Sequence, residues 1–556
     1  MTPSETRLPR YAYGGLVVLR ALFALYGTGY IHPDEYFQNG EVVAGSTLGL
    51  HSHLTWEWDP VFPCRSIVPV WLTTGIPFSV LQLLLQGRTP TPSLVFVVER
   101  LSFLLSSFLL DFCVYHLVQD STRLPALLLL ASSYVVHTYQ VRPFSNSLEA
   151  VFVALSLLLL KKLFLVETQS PSSKRTPIYT SLLALVSVCG VFTRLTFATF
   201  FFPVALEILK WGLRQSRYSL AGFVRLLSLP ILVAITAVLG FVYADSLYFH
   251  GDLKPSHIEL TPLNFLRYNL LPSNLAEHGL HPRWLHLVVN LPMIATPALL
   301  YYVLRAEFDI FASRSGDRDK TKPGIVQMMQ HTYNRVRWSA TSLLSIQPHQ
   351  EPRFLTPLLV PMVVVAINNA CILRAGRSFL MFWIFGNVIL ATLFGVLHQG
   401  GVIPSLFRVH AIINDTSSAL NSRNFEVVYW RTYMPPRHLL AVRQEDVNSQ
   451  RVSIRDLSGA SPTTIVDNLL APVLDTFPHM VLLVTPFHAV KELEAQTRTC
   501  LKELNRVFPH LDLDHIGESV QVGWKDGLSL GIFDVDVACL REAMSTDRLR
   551  EEITAQ

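Results

Sequence analysis

GFVRLLSLPILVAITAVLGFVY, residues 222–243, is an almost uninterrupted apolar stretch with one charged residue, Arg225. A transmembrane helix needs roughly 20 consecutive, mainly apolar residues. Stretches of similar length recur along the first 400 residues, at 11–31, 67–87, 94–118, 148–166, 284–304, 354–373 and 378–398. A soluble core does not repeat segments of this length. The sequence therefore predicts a mainly α protein, a multi-spanning bundle of transmembrane helices.

The composition agrees with this prediction. Half of the 556 residues are apolar and only 15% are charged, whereas soluble domains average roughly 25% charged residues. The mean hydropathy is +0.35. The first apolar stretch lacks a small-residue cleavage site and continues for a full span, so it is expected to be a signal anchor.

Basic residues in short loops indicate the cytoplasmic side of a membrane. Three basic loops are expected there, at 161–175, 210–225 and 305–337. The acidic segment 32–66, the loop 244–283 and the turns at 350–353 and 398–401 then fall on the lumenal side. Counting 67–87, 94–118 and 124–140 as three crossings breaks this alternation, so one of them is expected not to cross fully.

Beyond residue 404 the charge density rises, which predicts two domains: 1–404 in the membrane, with a catalytic first lumenal loop 32–66, and 405–556 as a small lumenal α/β domain. Its expected strands are 426–430, 480–484 and 528–534, with a helix near 491–507. Asn414 begins an N-glycosylation acceptor triplet. Cys500 and Cys539 either form a disulfide or, as the favoured interpretation, remain two buried thiols.

The best candidate for chemistry is His32-Pro33-Asp34-Glu35-Tyr36-Phe37-Gln38. Pro33 is expected to end the preceding helix. Ionisable groups at the membrane interface are costly and often functional, and a partly desolvated carboxylate beside a second one suits a general base. The alternative is that both acids begin a helix and interact with its dipole; local chemistry leaves the two interpretations equal.

Phosphate ligands are expected among the cationic side chains near the lumenal surface, since Arg, Lys and His bind phosphate. They are Arg65, Arg142, Arg194, His349, Arg353 and His398. For any single one, snorkelling toward a lipid headgroup is the more ordinary role, and it is the set on one side of the membrane that favours phosphate binding. Trp56 and Glu57 lie in Thr55-Trp56-Glu57-Trp58, where aromatic rings either belong to the interfacial belt or stack on sugars and polyprenyl chains.

These segments resemble glycosyltransferase family 22. His32 to Gln38 resembles the family's H-P-D-E-x-[FWY]-Q motif, Arg142 to Glu149 is similar to R-T-F-S-N-S-x-E with Pro143 as a departure, Gly190 to Phe197 is similar to G-x-F-x-R-x-T-F, and His349 to Leu355 is similar to H-x-E-x-R-F-L. The order of these motifs extends over roughly 400 residues.

Further segments resemble the branch that adds the fourth, side-branch mannose to the glycosylphosphatidylinositol (GPI) precursor. They are 55–57, 64–66, 261–269, 274–279, 397–399 and 432–437. The resemblance implies a GT-C fold, dolichyl-phosphate-mannose as donor, inversion to an α-1,2 bond and an active site in the lumen of the endoplasmic reticulum. It implies no metal or other cofactor.

Within the motif, Asp34 is the expected base because it directly follows Pro33 at the helix exit, and Glu35 is expected to hold the acceptor or orient Asp34. His32 and Gln38 are expected to bind substrate. The expected partners are the GPI precursor, the lipid-linked donor and membrane lipids, and not nucleic acid. The alternatives are another family 22 mannosyltransferase, acting on the third GPI mannose or the N-glycan precursor, and a transporter, although no internal repeat is evident.

Overall fold

A computed structural model describes residues 3–169, 174–271, 273–274, 279–316, 324–419, 424–470 and 479–543. Six of the described helices are long and apolar enough to cross a membrane, which confirms a multi-spanning protein. They are Ile67–Leu85, Pro92–Leu117, Arg175–Thr193, Leu220–His250, His286–Asp309 and Arg377–Leu397.

The remaining long helices lie before, between and after these spans. They are Pro3–Tyr26, Ser145–Gln169, Phe197–Gln215, Ile325–Ile346 and Val402–Ala419, with the shorter Asp34–Phe37, Gly40–Leu48, Arg123–Ala131, Tyr134–Thr138, Thr261–Leu270 and Leu359–Asn368. The helix Leu291–Gly316 continues the span that begins at His286 and is kinked at Thr296, whose φ is 53°.

The stretch 124–140 forms two short helices, whereas 67–87 and 94–118 each contain a helix long enough to span a membrane, in agreement with the expectation that one of the three does not cross fully. Other predicted boundaries are wrong. The stretch 354–373 begins as the 3-10 helix Pro352–Leu358, because its two prolines lack N–H donors, and continues as a helix that ends at Asn368. The basic segments expected as loops are largely helical: Lys161 and Lys162 lie inside Ser145–Gln169, and most of the described part of 305–337 is also helical.

The C-terminal segment contains a five-stranded sheet. Its strands are β1 (Asn424–Tyr429), β2 (Val452–Asp456), β3 (His479–Pro486), β4 (Leu501–Val507) and β5 (Leu530–Val535), in the order β2-β1-β3-β5-β4. The β1 strand pairs in parallel with β2 and β3, and β5 pairs antiparallel with β3 and β4. The short helices Gln444–Asn448, Pro462–Leu470, Phe487–Val490, Ala495–Thr499, Ile516–Gln521 and Trp524–Gly527 connect these strands.

This sheet confirms the small α/β domain and corrects its details. The expected helix near 491–507 is wrong, because most of that segment is β4, preceded by the one-turn helix Ala495–Thr499. The strand β2 was missed. The apolar core of the sheet is formed by Val428, Trp430, Ile465, Leu483 and Phe533 among others.

Cys500 and Cys539 form a disulfide, with their Cα atoms 5.6 Å apart. The favoured interpretation of two free thiols is therefore wrong. Both cysteines pack on the core of the sheet domain, so the bond attaches the start of β4 to the segment that follows β5.

The structure divides into two compact units. The first comprises Met1–Ala24, Thr55–Thr73 and Leu101–Ile389, and the second comprises Leu25–Leu54, Thr74–Arg100 and Leu390–Gln556. The loop 32–66 is thus divided after residue 54, and the predicted boundary at 404–405 falls within the helix Val402–Ala419.

Loss of the disulfide should destabilise the sheet domain. We expect Cys500→Ser and Cys539→Ser each to lower its free energy of unfolding by about 2–4 kcal/mol, since the bond closes a loop between positions 39 residues apart. Protease resistance of the C-terminal domain in the purified protein measures this loss. The double variant should be no less stable than either single variant; additive losses would contradict a shared bond.

Candidate active site

The motif from His32 to Gln38 lies in the second unit and contains a one-turn helix, Asp34–Phe37. The preceding helix ends at Tyr26, so the expectation that Pro33 ends it is wrong. Pro33 instead lies at the N-cap position with helical dihedral angles (φ −53°, ψ −35°), and both acids occupy the first turn. The backbone therefore has the helix-start geometry of the alternative interpretation, and the side chains must distinguish the two acids.

Glu35 is fully buried in an ion pair. Its Oε1 accepts a hydrogen bond from a terminal nitrogen of Arg100 at 2.6 Å, and both side chains are 0% exposed. Arg100 also donates to the carbonyl oxygen of Gly27 (2.6 Å) and to the hydroxyl of Tyr36 (2.8 Å), and its guanidinium lies over the ring of Phe96. The Glu35 carboxylate is therefore fixed in the interior.

Asp34, by contrast, is accessible. Its side chain is 25% exposed, and its Oδ2 accepts a hydrogen bond from Nε2 of Gln38 at 2.6 Å. The backbone N–H of Asp34 donates to Nδ1 of His32, which lies 3.2 Å from Oδ1 of Asp34. Adjacent carboxylates thus have opposite environments: Asp34 is oriented by neighbours and open to a substrate, whereas Glu35 is enclosed.

A second buried charge cluster adjoins this pair within the same unit. Nε2 of His438 lies 3.0 Å from Oε2 of Glu99, and the backbone N–H of His438 donates to Oε1 of Glu41 at 3.1 Å. The backbone N–H of Gly40 donates to Glu99. Burial lowers the pKa of His438, but the two carboxylates outweigh this effect and raise the pKa to about 9. His438 is therefore charged at neutral pH.

The sequence analysis missed Glu99, Arg100, Glu41 and His438. A signal was present for two of them, because Glu99 and Arg100 are adjacent charged residues inside the apolar stretch 94–118. Ionisable residues within a membrane segment are functional candidates by default, and they generally pair with another polar or charged group. The two side chains face different partners, since Glu99 binds His438 and Arg100 binds Glu35.

His398 and the segment 432–437 join the active-site motif in the second unit. The carbonyl oxygen of His398 accepts a hydrogen bond from the N–H of Tyr30 at 2.7 Å. Nε2 of His398 lies 3.2 Å from the hydroxyl of Tyr433, and the hydroxyl of Tyr30 donates to the carbonyl oxygen of Met434. Gly29 permits this approach, because a Cβ there would lie 2.5 Å from the carbonyl oxygen of Phe394.

Three of the predicted phosphate ligands cluster in the first unit. Arg194, Arg353 and His349 all pack against the ring of Phe354. Glu351 accepts hydrogen bonds from Arg353 and contacts Nε2 of His349 at 2.7 Å. Three of the family-like motifs therefore supply neighbouring side chains, because Phe144, from the segment of Arg142, lies beneath Arg353.

Arg194 is further held by the segment 142–149. It donates to the hydroxyl of Ser145 at 3.0 Å, and its Nε lies 3.4 Å from Glu149. Thr196 donates to the same carboxylate at 2.6 Å. Arg142 is completely buried. Despite the departure at Pro143, the segment 142–149 packs with the other two motifs of this unit.

Another cluster in the first unit contains Trp56, Glu57 and Arg65. Arg65 donates two hydrogen bonds to Oε1 of Glu57, at 2.9 and 2.7 Å, and its guanidinium lies over Phe265. The ring of Trp56 stacks on Tyr268 with centroids 4.0 Å apart. The segments 55–57, 64–66 and 261–269 therefore meet, as a shared binding surface would require.

Asp245, near the end of the helix Leu220–His250, connects two of these segments and was also missed. Its Oδ1 accepts hydrogen bonds from the hydroxyl of Ser66 at 2.8 Å and from the backbone N–H of Ile67 at 3.0 Å, and its Oδ2 accepts one from the hydroxyl of Thr261. An acidic residue at the end of an apolar helix was visible in the sequence; its partners, far apart along the chain, were not.

Two further predicted sites are Asn414 and the segment 274–279. Asn414 is exposed in the helix Val402–Ala419, where its Nδ2 lies 2.8 Å from Nε2 of His410; its glycosylation stays a prediction. Of the segment 274–279, residues 275–278 lie outside the described part of the chain.

The sequence of these motifs can be compared with known proteins. The model of the Alg9-like mannosyltransferase family matches residues 11–441. The chain belongs to this family. The match includes the helix Asp34–Phe37, the buried charge cluster of Glu99 and His438, the cluster around Phe354 and the cluster of Trp56, Glu57 and Arg65. The enzyme is therefore a mannosyltransferase.

Individual relatives extend the similarity to most of the chain. GPI mannosyltransferase 4 of Emericella nidulans is 36% identical over 475 residues, which cover 83% of this chain and 81% of the relative. Human GPI alpha-1,2-mannosyltransferase 4 is 32% identical over 569 residues, which cover 95% and 93%. The resemblance found in the sequence motifs is thereby confirmed.

Among solved structures, ArnT from Cupriavidus metallidurans, bound to undecaprenyl phosphate, has a TM-score of 0.51 at 11% identity, with 96% of this chain and 99% of ArnT covered. A likeness at this identity concerns the fold. It confirms the expected GT-C type of membrane helical bundle.

The pair Glu35–Arg100 gives a direct test of the site's construction. Removal of one partner leaves a buried charge without compensation, so we expect Arg100→Gln to lower stability by about 3–5 kcal/mol. The double variant Glu35→Gln/Arg100→Gln should recover much of this loss. Thermal unfolding of the detergent-solubilised protein measures both. Arg88→Gln, which alters an exposed arginine of the same unit, is the control; equal losses in Arg88→Gln and Arg100→Gln would contradict the assignment.

Proposed function

We propose that this protein transfers the fourth mannose of the GPI anchor from dolichyl-phosphate-mannose to the third mannose of the precursor, with inversion, in the lumen of the endoplasmic reticulum. The relatives named GPI mannosyltransferase 4, which align with most of the chain, support the acceptor. The human relative's name supports the α-1,2 bond. The proposed mechanism rests on the difference in exposure between the accessible side chain of Asp34 and the enclosed side chain of Glu35.

In the proposed reaction, Asp34 is the general base. It takes the proton from the 2-hydroxyl of the third mannose as that oxygen bonds to the anomeric carbon of the donor. The bond from this carbon to the phosphate oxygen breaks, and dolichyl phosphate leaves with the electron pair. One base opposite the leaving group gives inversion, by the logic that applies to inverting glycosidases.

The neighbours of Asp34 have positioning roles in this proposal. Gln38 holds Oδ2, which leaves the carboxylate in one orientation. Glu35 does not contact the acceptor, because its carboxylate is enclosed in the ion pair with Arg100. The division between the two acids is thus set by burial: Glu35 anchors the turn, and Asp34 acts on the acceptor.

The cationic residues are proposed as ligands of the donor phosphate: Arg65, Arg142, Arg194, His349, Arg353 and His398. Arg65, Arg194 and Arg353 each have a carboxylate neighbour, which restricts the position of the guanidinium. A guanidinium has five N–H donors, more than one carboxylate accepts. Such a pair can therefore hold an arginine in place while it binds a phosphate oxygen.

Trp56 and Glu57 are proposed to bind the glycan of the acceptor, together with His32. The ring of Trp56 is partly exposed and lies on Tyr268, and aromatic faces of this kind pack against sugar rings. Transfer by a base and cationic side chains needs no metal ion, so the proposal retains a reaction without a cofactor. Membrane lipids and the two lipid-linked substrates are the proposed partners.

The lumenal location of the C-terminal domain is part of the proposal. The disulfide Cys500–Cys539 supports it, because disulfides form and persist in oxidising compartments such as this lumen. Asn414, which begins the acceptor triplet, is exposed on its helix, as glycosylation requires. The excess of basic residues near 161–175 and 210–225 supports the opposite, cytoplasmic side for those segments.

Asp34→Asn should abolish mannose transfer without loss of protein. A general base contributes about 10²–10⁴-fold, so we expect turnover to fall at least 100-fold. Microsomes with labelled dolichyl-phosphate-mannose, from cells in which this chain is the sole enzyme of its step, should then accumulate a GPI precursor with three mannoses.

The matched control is Asp59→Asn, which removes an exposed carboxylate of the same predicted loop and should leave transfer unchanged. Near-normal turnover of Asp34→Asn would exclude it as the base. Truncated N-glycan precursors in cells without the chain would assign it instead to another step of the family.

A membrane-impermeant thiol reagent can test the proposed sides. Trp524 is 82% exposed in the C-terminal domain, so Trp524→Cys should react only after the microsomal membrane is permeabilised. Arg217→Cys, at an exposed position in a predicted cytoplasmic segment, should react in sealed microsomes. The reverse pattern would contradict the proposed orientation.

A further inference from the structure

Three side chains with metal-binding groups converge at one end of the C-terminal sheet. His488 lies in the helix Phe487–Val490, directly after β3, and Asp512 and His515 lie between β4 and the helix Ile516–Gln521. One ligand atom from each residue lies within 4.8 Å of the other two. Nδ1 of His515 is 2.6 Å from Oδ2 of Asp512, and the rings of His488 and His515 stack.

His488 is buried with a hydrogen-bonding capacity that its described neighbours do not use. In the described part of the chain, its Nε2 has no hydrogen-bond partner, although the residue is only 3% exposed. An unsatisfied buried nitrogen costs free energy. Its other ring nitrogen, Nδ1, lies 3.4 Å from the hydroxyl of Ser519. Metal-binding histidines commonly have such a partner on the second nitrogen, because it fixes the ring.

The charges around His488 favour the binding of a cation. Besides Asp512, the carboxylates of Glu492 and Glu518 act electrostatically on His488. The positive charge of Arg431 acts against cation binding, and its guanidinium donates to Nε2 of His515 at 2.8 Å. Arg431 is also paired with Glu492 at 2.9 Å. If a metal binds Nδ1 of His515, then Nε2 carries the proton, and Arg431 must shift away from the ring while it keeps Glu492.

We propose that His488, Asp512 and His515 bind one divalent transition-metal ion, with zinc as the class that matches two imidazoles and one carboxylate. Zinc sites take such ligands at about 2.0–2.2 Å, with a water in the fourth tetrahedral position. The group must contract slightly around the ion, and Asp512 and His515 must separate to admit it.

The proposed ion stabilises a structural connection and takes no part in mannose transfer. Leu511, next to Asp512, exchanges backbone hydrogen bonds with Leu397 and Gln399. Oε1 of Gln399 accepts a hydrogen bond from the N–H of Tyr433, whose hydroxyl contacts His398. A metal at Asp512 therefore fixes the segment on which His398 and Tyr433 are held.

The test uses the full-length protein, purified in detergent with an affinity tag that contains no histidine. After dialysis against a chelator and addition of zinc, elemental analysis should find about one zinc per chain, and the Tm should rise with zinc concentration because the ion binds the folded state. Loss of a second-shell group typically costs 10–100-fold in metal affinity, so we expect His488→Gln and Asp512→Asn each to weaken zinc binding more than about tenfold.

Asp526→Asn is the matched control, since Asp526 is a carboxylate of the same domain that pairs instead with Arg506. It should retain zinc with wild-type affinity. The proposal is wrong if the wild-type protein retains no zinc and shows no shift in Tm, or if His488→Gln and Asp512→Asn retain it as the wild-type protein does. The wild-type measurement decides the matter even if either variant fails to fold.

Discussion

The ion pair between Glu35 and Arg100 is the constraint on which the candidate active site depends. Two fully buried charges require each other, since neither can be hydrated, and Arg100 adds hydrogen bonds to Gly27, before the motif, and to Tyr36, within it. This fixes a one-turn helix that has few hydrogen bonds of its own. The fixed turn gives adjacent Asp34 a defined position at an accessible surface. The burial of Glu35 therefore positions the carboxylate of Asp34.

The motifs separate into clusters, each within one unit. Arg194, His349 and Arg353 gather around Phe354; Trp56, Glu57 and Arg65 meet the segment 261–269 through Asp245; His398 and Tyr433 adjoin Tyr30, beside the active-site motif. Aromatic or acidic neighbours limit the movement of these predicted cations: Arg65, Arg194, His349, Arg353 and His398. In the proposed reaction, such preorganised charges stabilise the leaving phosphate more effectively than mobile ones would.

Much of this architecture could be predicted from sequence. Long apolar segments such as 222–243 determine transmembrane helices because lipid leaves the backbone few alternatives, and the motif around Asp34 was recognisable from residue types alone. Predictions from local sequence patterns were wrong where contacts between distant residues determine the structure. The segment 501–507 forms a strand because β5 pairs with it, and Pro33 begins a helix although proline there suggested an end.

The main feature that the sequence did not reveal is which residues far apart along the chain form pairs. Arg100 lies 65 positions from Glu35, and His438 lies 339 positions from Glu99; nothing in a single sequence specifies such pairs. The fully buried carboxylates at 35, 41 and 99 were visible as residues, but their roles follow only from burial. The sequence also left undecided whether Cys500 and Cys539 form a disulfide, because spacing along the chain does not show whether two thiols meet in the fold.

The close approach at Gly29 has a consequence for how sequence variants of this enzyme are interpreted. Gly29 carries no chemical group, so a missense change there seems harmless beside a change at Asp34. Yet the position faces the backbone of 394–396, which cannot rotate aside as a side chain does. Even a methyl group would displace Tyr30 from His398, so Gly29→Ala is expected to disturb the candidate active site while every polar residue stays intact.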